Sequence, residues 1–160
     1  MADIVAIYMD EVAPIQDAVG IVPSCVFQPI TSDMISHFTK NGGNALGLDG
    51  QGPINCMLFS LLELITVSDD LLVINIDISW SDSSDDDRII AAAQNIVDRS
   101  AAAAEAMGLS NVYLYQNYAS YQQNVFAGYG EANLERLQAV SAKYDPTQVW
   151  QKLQPGYFKL

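Results

Sequence analysis

Two short stretches of the sequence place hydrogen-bonding side chains at a spacing that brings them together. In LLVINIDISW (71–80), Asn75, Asp77 and Ser79 alternate with apolar residues. In YLYQNY (113–118), two tyrosines and an asparagine occupy positions 113, 115 and 117. Because successive side chains of a β-strand point to opposite faces, each set of three is predicted to share one face. Such hydroxyl and amide groups can hydrogen-bond to a polarised carbonyl or a developing enolate.

The residue patterns of common hydrolases and metalloenzymes are missing from the sequence. It contains one histidine, His37, interpreted as a surface or half-buried side chain, and two cysteines, Cys25 and Cys56, interpreted as buried free thiols. One histidine rules out the usual Ser-His-Asp triads, and no spacing fits a zinc site. The acidic run at 85–87 is interpreted as a helix start. We therefore predict no metal site.

Composition and charge narrow the classes of partner. The chain of 160 residues carries 7 basic and 19 acidic residues, for a net charge of −12. Such a surface repels phosphate backbones and anionic lipid, so we predict neither nucleic acid nor a membrane as partner. The longest apolar run (54–67) contains Glu63 and is too short to span a bilayer. Without a secretory signal at the N-terminus, we expect a cytoplasmic protein that binds a small, apolar metabolite.

Hydrophobic periodicity predicts alternating helices and strands. Helices are expected over 3–19 with a kink at Pro14, over 32–40 with Thr31 or Ser32 as cap, from a Ser84 cap to Gly108, and over 130–144. Strands are expected over 21–30, 71–80 and 112–118. The strands have one apolar face each, which favours an α+β fold: an antiparallel sheet with helices on one face and a polar, pocket-forming face opposite.

Six segments of the chain carry a resemblance to a known family. They are VFQPI (26–30), NGGNALGLD (41–49), ISWSD (78–82), YLYQNY (113–118), GYGEANLERLQAVSAKYDPTQVW (128–150) and PGYFKL (155–160). Together they resemble the C-terminal third of the berberine-bridge-type FAD-linked oxidoreductases of the vanillyl-alcohol-oxidase superfamily, in family order and closest to fungal members of secondary metabolism. The resemblance implies that residues 1–160 form a single domain similar to the family's substrate domain with its C-terminal tail.

The resemblance also implies which residues form the site. In the family the polar face of the sheet lies over the substrate, and a Tyr-x-Asn-Tyr motif lies close to the flavin. We accordingly expect Tyr115 and Asn117 to be catalytic. The expected substrate-binding residues are Asn75, Asp77, Ser79, Tyr113, Tyr118 and Gln28. Strand geometry predicts that Tyr118 points away from Tyr115, unless a bulge intervenes.

The sequence departs from the family in three respects. It has no Arg-x-x-x-Gly-Gly-His motif, which in the family links FAD covalently, and no G-x-G-x-x-G cradle, so we expect no bound cofactor. No acid follows the Gly-Gly pair of NGGNALGLD, where many plant relatives place an acid or amide base. Two strand-like runs, 54–67 and 71–80, stand where the family usually has one, so about a dozen residues are inserted relative to the family pattern; the insertion is either an added strand or the trace of an irregular gene.

Two functions of different classes remain open at this point. The first is a cofactor-independent enzyme of secondary metabolism that catalyses a cyclisation, isomerisation or pericyclic step by holding a flexible ligand in a reactive conformation. The second is a non-catalytic partner or remnant of a FAD-linked oxidoreductase that works only with a FAD-bearing chain. In either case the apolar run 54–67 is expected to form a homodimer, because an uncovered apolar patch usually finds a partner.

Overall fold

The computed structural model describes residues 1–48, 71–156 and 158–160, and confirms an α+β architecture. The helices of the described residues are α1 (Ala2–Val12), α2 (Ser32–Phe38), α3 (Asp86–Ala106), α4 (Glu131–Tyr144) and α5 (Val149–Leu153). The strands are β1 (Val22–Ile30) and β2 (Leu71–Ser79). The predicted strand within 54–67, the homodimer built on it and Cys56 lie outside the described residues.

The described chain divides into two compact units. The first unit contains residues 1–30 and 71–111, and the second contains residues 31–48 and 112–160. The expectation that residues 1–160 form a single domain therefore stays a prediction. No helix among the described residues is long and apolar enough to cross a membrane.

The first unit is an antiparallel pair of strands packed against α1 and α3. β1 and β2 pair over their full length, with Val22 opposite Ser79 and Ile30 opposite Leu71. Ile78 and Trp80 pack on a core that contains the buried side chains of Ile89 and Ala92 from α3. The sheet therefore has one face directed to the helices, as the alternation of β2 predicts.

The N-terminal helix is shorter than its apolar pattern predicts. α1 ends at Val12, and the chain continues as a 3-10 turn over Ala13–Ile15 that contains Pro14. Proline lacks a backbone N–H and clashes with the preceding turn of an α-helix, so the predicted kink becomes a change of helix type. Ile15 is buried in the core of the first unit, which keeps the turn against α3.

Ion pairs join α3 to the N-terminal segment. Arg99 contacts Glu11 at 2.6 Å and Asp10 at 3.1 Å. In the first turn of α3, Arg88 contacts Asp17 at 2.6 Å. The hydrogen bond from Arg99 lowers the pKa of Glu11 below its usual range. All of these groups reach solvent, so the pairs mainly fix the position of α3 and weaken with added salt.

The start of α3 differs from the predicted cap at Ser84. A 3-10 turn spans Ser83–Asp85, and the Asp82 carboxylate accepts a hydrogen bond from the Ser84 backbone N–H at 2.9 Å. α3 itself begins at Asp86, whose carboxylate accepts a hydrogen bond from Trp80 Nε1 at 2.6 Å. The acidic run 85–87 therefore lies at the start of α3, while the carboxylate that caps the preceding 3-10 turn is that of Asp82. Among the described residues, no group of three or more His, Cys, Asp or Glu is placed to hold a metal ion.

The second unit contains helices and irregular segments, and its described residues contain no strand. Residues 111–115 have no regular structure and 116–118 form a turn, in which the Tyr118 N–H donates to the Tyr115 carbonyl at 2.9 Å. The predicted strand over 112–118 is therefore wrong. An extended segment needs a neighbouring strand for its backbone hydrogen bonds, and Asn117 lies where a turn favours asparagine.

Candidate functional site

The polar face of the two-stranded sheet forms as expected. The register places Gln28 opposite Val73 and Ser24 opposite Asp77, and directly paired residues of antiparallel strands share a face. Gln28 consequently lies on the same face as Asn75, Asp77 and Ser79. Gln28, Asp77 and Ser79 are exposed and Asn75 is half-buried. The first unit therefore brings together four of the predicted substrate-binding residues.

The tyrosines of YLYQNY form a cluster in the second unit without a strand. The Asn117 amide donates a hydrogen bond to the Tyr115 hydroxyl at 2.8 Å. The rings of Tyr115 and Tyr118 meet edge to face, with centroids 4.8 Å apart. The expectation that Tyr118 points away from Tyr115 is therefore wrong, because the turn at 115–118 brings the two rings to the same side.

Tyr113 packs on Tyr129, a residue that the sequence analysis did not select. Its ring stacks on Tyr129 with centroids 6.1 Å apart and an interplanar angle of 19°. Burial, with smaller contributions from Tyr129 and Tyr115, raises the pKa of Tyr113 from 10.0 to about 12. Burial also raises the pKa of Tyr129. Both phenols are therefore protonated at neutral pH and can donate hydrogen bonds.

A cleft of about 350 Å3 lies within the second unit. Its lining consists of apolar side chains with two amides and one phenol: Ala45, Leu46, Gln116, Phe126, Tyr129, Leu137, Gln151, Phe158 and Leu160. The volume is in the range of small-molecule sites, which are mostly apolar with a few polar groups. No lining residue carries a charged side chain. This cleft is the candidate binding site of the second unit.

Close backbone contacts build the cleft. Gly47 has φ of +75°, and a Cβ added there would lie 2.7 Å from the Tyr129 carbonyl oxygen. Only glycine accepts both this dihedral and so short a distance to the Tyr129 backbone. Gly47 therefore allows the 43–48 loop to pack against the turn at 126–129. The Asn133 amide donates to the same carbonyl at 2.8 Å. At the other end, the Leu160 N–H donates to Gln151 Oε1 at 3.0 Å, which keeps the chain end beside the cleft.

The sequence analysis missed Gln116 and Tyr129 for different reasons. Gln116 lies between Tyr115 and Asn117, and strand alternation assigned it to the opposite face. Tyr129 belongs to the GYGEANLERL segment, whose pattern is that of a helix and its preceding turn and does not by itself indicate a binding residue. Its position between Gly128 and Gly130 was a usable signal, because flanking glycines permit close approach of the backbone to a neighbouring segment.

Neither the cleft nor the polar sheet face fits the pyrophosphate of FAD. The pyrophosphate of FAD is a dianion that needs cationic side chains or a cradle of N–H groups, and the cleft has no lysine or arginine in its lining. The polar sheet face exposes Asp77, whose carboxylate repels phosphate. Two other side chains that could take part in chemistry do not line the cleft. Cys25 is a half-buried free thiol, and the largely exposed His37 lies beside Asp33 and Lys40.

Comparison with known proteins gives one family match and several curated relatives. Residues 114–155 match the family described as "Berberine and berberine like". The chain is 32% identical over 139 residues to the FAD-dependent monooxygenase FUP4 of Fusarium proliferatum, covering 86% of this chain and 24% of the relative. It is 32% identical, with the same coverage, to the FAD-dependent monooxygenase tpcD of Cochliobolus heterostrophus. It is 34% identical to sdcF of Emericella nidulans, of the same description, over 84% of this chain and 25% of the relative.

The extent of these matches bears on what is shared. The chain spans about a quarter of the length of the curated relatives it matches. No solved structure matches it. The matched family segment contains the Tyr115–Asn117 pair and five of the cleft-lining residues. The chain is therefore similar to one part of several fungal FAD-dependent monooxygenases, and its residues 114–155 match the berberine and berberine-like family.

Proposed function

We propose that this chain is the substrate-side part of an FAD-dependent oxygenase of fungal secondary metabolism. In this proposal it binds a small, largely apolar metabolite, while residues outside the described ones hold FAD. The observation that supports it most is the cleft of about 350 Å3, which has no charged side chain in its lining and most of whose lining residues belong to the segment that matches the family. When bound, FAD supplies electron transfer and the activation of oxygen.

Within the proposal, Tyr115 and Asn117 are the catalytic pair; they flank Gln116 of the cleft lining and are not themselves lining residues. The Asn117 amide donates to the Tyr115 oxygen, so the phenol hydrogen remains available to a substrate carbonyl. An oriented donor of this kind stabilises negative charge that develops on an oxygen during reaction. Tyr113 and Tyr118 pack beside this pair or behind Tyr129, and their proposed role is to fix these rings and to contact the substrate.

The polar face of the first unit is proposed as a second surface for the substrate. Asn75, Asp77, Ser79 and Gln28 present both donors and acceptors there. A homodimer and a cytoplasmic site of action remain parts of the proposal.

A flavin-independent enzyme is the second candidate function. One observation favours it: the cleft and its phenol donor are complete within the second unit, so a ligand can be held there without FAD. Holding a flexible ligand close to its reactive conformation can by itself lower a barrier by several kcal/mol, roughly 7–11 in the best-oriented intramolecular reactions. A cyclisation or isomerisation would need no redox group. The two candidates differ in whether the chain alone converts its ligand.

Titration with FAD tests the first proposal. We expect the purified 160-residue chain to be colourless and to give no binding heat when FAD is added in calorimetry, because the lining of the cleft offers the FAD pyrophosphate no cationic side chain. The intact Fusarium relative, prepared in the same way, serves as the positive control. Yellow protein whose flavin absorbance persists through denaturation would contradict the proposal, because it would place a covalent FAD site within this chain.

A further inference from the structure

We propose that Tyr129 recognises the ligand of the cleft by donating a hydrogen bond from its phenol to an uncharged oxygen acceptor, such as the carbonyl of an aryl ketone. The inference rests on the proposed function in one respect, since it takes the cleft as the place of the metabolite. It adds the chemical class of the ligand and a binding residue outside the Tyr-x-Asn-Tyr motif.

Tyr129 combines a buried ring with a hydroxyl that makes no hydrogen bond within the described part of the chain. The residue is 4% exposed and lines the cleft. No hydrogen bond joins its hydroxyl to any other described residue, although its backbone carbonyl accepts from Asn133. This hydroxyl is not fully enclosed. Among the described residues, one side-chain oxygen or nitrogen is both fully buried and without a hydrogen bond, and that atom is Ser100 Oγ of the first unit. The phenol therefore keeps an open side, and the space that Tyr129 lines is the cleft.

Packing fixes the direction of this donor. The Tyr129 ring stacks on Tyr113 and meets Phe126 edge to face, with centroids 5.6 Å apart and an interplanar angle of 88°. Asn133 and Gly47 hold the backbone of the same residue, as described above. A ring held on both sides loses little freedom when a ligand binds, so its hydrogen bond is available at low entropic cost.

The lining of the cleft selects an uncharged ligand. Ala45, Leu46, Phe126 and Leu137 provide apolar walls, and no charged side chain is present to neutralise an ion. One of the two amides is already engaged, since Gln151 Oε1 accepts from the Leu160 N–H. The chain's net charge of −12 further disfavours an anion. Burial raises the pKa of Tyr129, so its phenol remains a donor at neutral pH.

Three probes of one shape test this proposal: acetylnaphthalene, ethylnaphthalene and naphthoate, substituted at the same ring position. All three contain the naphthalene ring. Acetylnaphthalene adds a carbonyl group, ethylnaphthalene adds only hydrocarbon, and naphthoate adds a carboxylate. We expect the wild-type protein to bind acetylnaphthalene about tenfold more tightly than ethylnaphthalene, the size expected for one hydrogen bond, with naphthoate the weakest. Tyr129→Phe, which keeps the ring, should bind the ketone and the hydrocarbon equally. Dissociation constants come from chemical-shift titrations.

Two further variants keep the outcome decisive. Tyr144→Phe alters a tyrosine that is 74% exposed and does not line the cleft, so it should retain the tenfold preference. Ala45→Phe fills the cleft while leaving Tyr129 in place, so it should abolish binding of both neutral probes. The inference is overturned if folded Tyr129→Phe keeps the preference for the ketone, if naphthoate binds best, or if Ala45→Phe binds both probes as wild type does. No flavin is present in these titrations. A result against Tyr129 therefore does not decide the proposed function, which is tested separately by the FAD titration.

Discussion

Replacing Gly47 with alanine is expected to destabilise the second unit by about 2–4 kcal/mol. Two effects add: a left-handed dihedral costs a residue with a side chain about 1–2 kcal/mol, and the new Cβ would lie 2.7 Å from the Tyr129 carbonyl oxygen. The contact is with backbone, which cannot swing aside as a long side chain can. Urea denaturation, followed by amide hydrogen exchange of the 126–129 turn, measures the loss.

Gly43→Ala is the matched control for this substitution. Gly43 has φ of +83° in the same loop, but a Cβ added there would meet nothing within 4 Å. Its ψ of −169° makes this a backbone conformation found almost only in glycine, so the dihedral alone should cost about 1–3 kcal/mol, without the added contact with backbone. Equal losses for the two variants would show that the 43–48 loop does not press on Tyr129, and would remove the structural basis of the cleft.

Replacing Asp145 with alanine is expected to cost about 2–3 kcal/mol. Asp145 is the one buried charged residue of the described chain, at 9% exposure. Its two carboxylate oxygens accept hydrogen bonds from the Val149 N–H at 2.8 Å and the Trp150 N–H at 2.9 Å, at the start of α5. Without them, α5 loses its cap, and Gln151 loses its place beside the cleft. Faster hydrogen exchange at Val149 and Trp150 would report this directly.

Two comparison variants separate the cap from a general effect of charge. Asp145→Asn retains one acceptor oxygen and should lose about half as much stability, roughly 1 kcal/mol. Asp33→Ala removes a carboxylate that is 88% exposed, so the free energy of unfolding should change by less than about 0.5 kcal/mol. If Asp33→Ala and Asp145→Ala are equally mild, the two hydrogen bonds at α5 contribute nothing measurable.

The sequence predicted those features that depend on local pattern. The alternation in 71–80 depends only on the geometry of an extended chain, so the polar face with Asn75, Asp77 and Ser79 could be foreseen. The proline at position 14 likewise marked the end of α1. The addition of Gln28 to the polar face needed the register of β1 on β2, which joins residues 41 to 57 apart in the chain. No local pattern contains that information.

The second unit shows where a pattern misleads. The alternation in 112–118 is typical of a strand, but a strand forms only if a neighbour accepts its backbone hydrogen bonds. Here the 115–118 turn and the contact between the rings of Tyr115 and Tyr118 take its place. The cleft was still harder to predict, because its lining comes from six short segments between Ala45 and Leu160 without a common period. Residues brought together only by tertiary contacts leave no periodic signal in the sequence.

The most direct test of the proposed function is mass spectrometry of a metabolite extract after incubation with the purified chain and no flavin. An extract of Fusarium proliferatum, the source of one relative, is a suitable starting material. The proposal predicts that the protein retains small uncharged compounds, that Ala45→Phe retains fewer of them, and that they elute with unchanged mass and chromatographic position. A compound that the chain alone converts, and that heat-denatured protein leaves intact, would contradict the dependence on FAD and establish the flavin-independent enzyme instead.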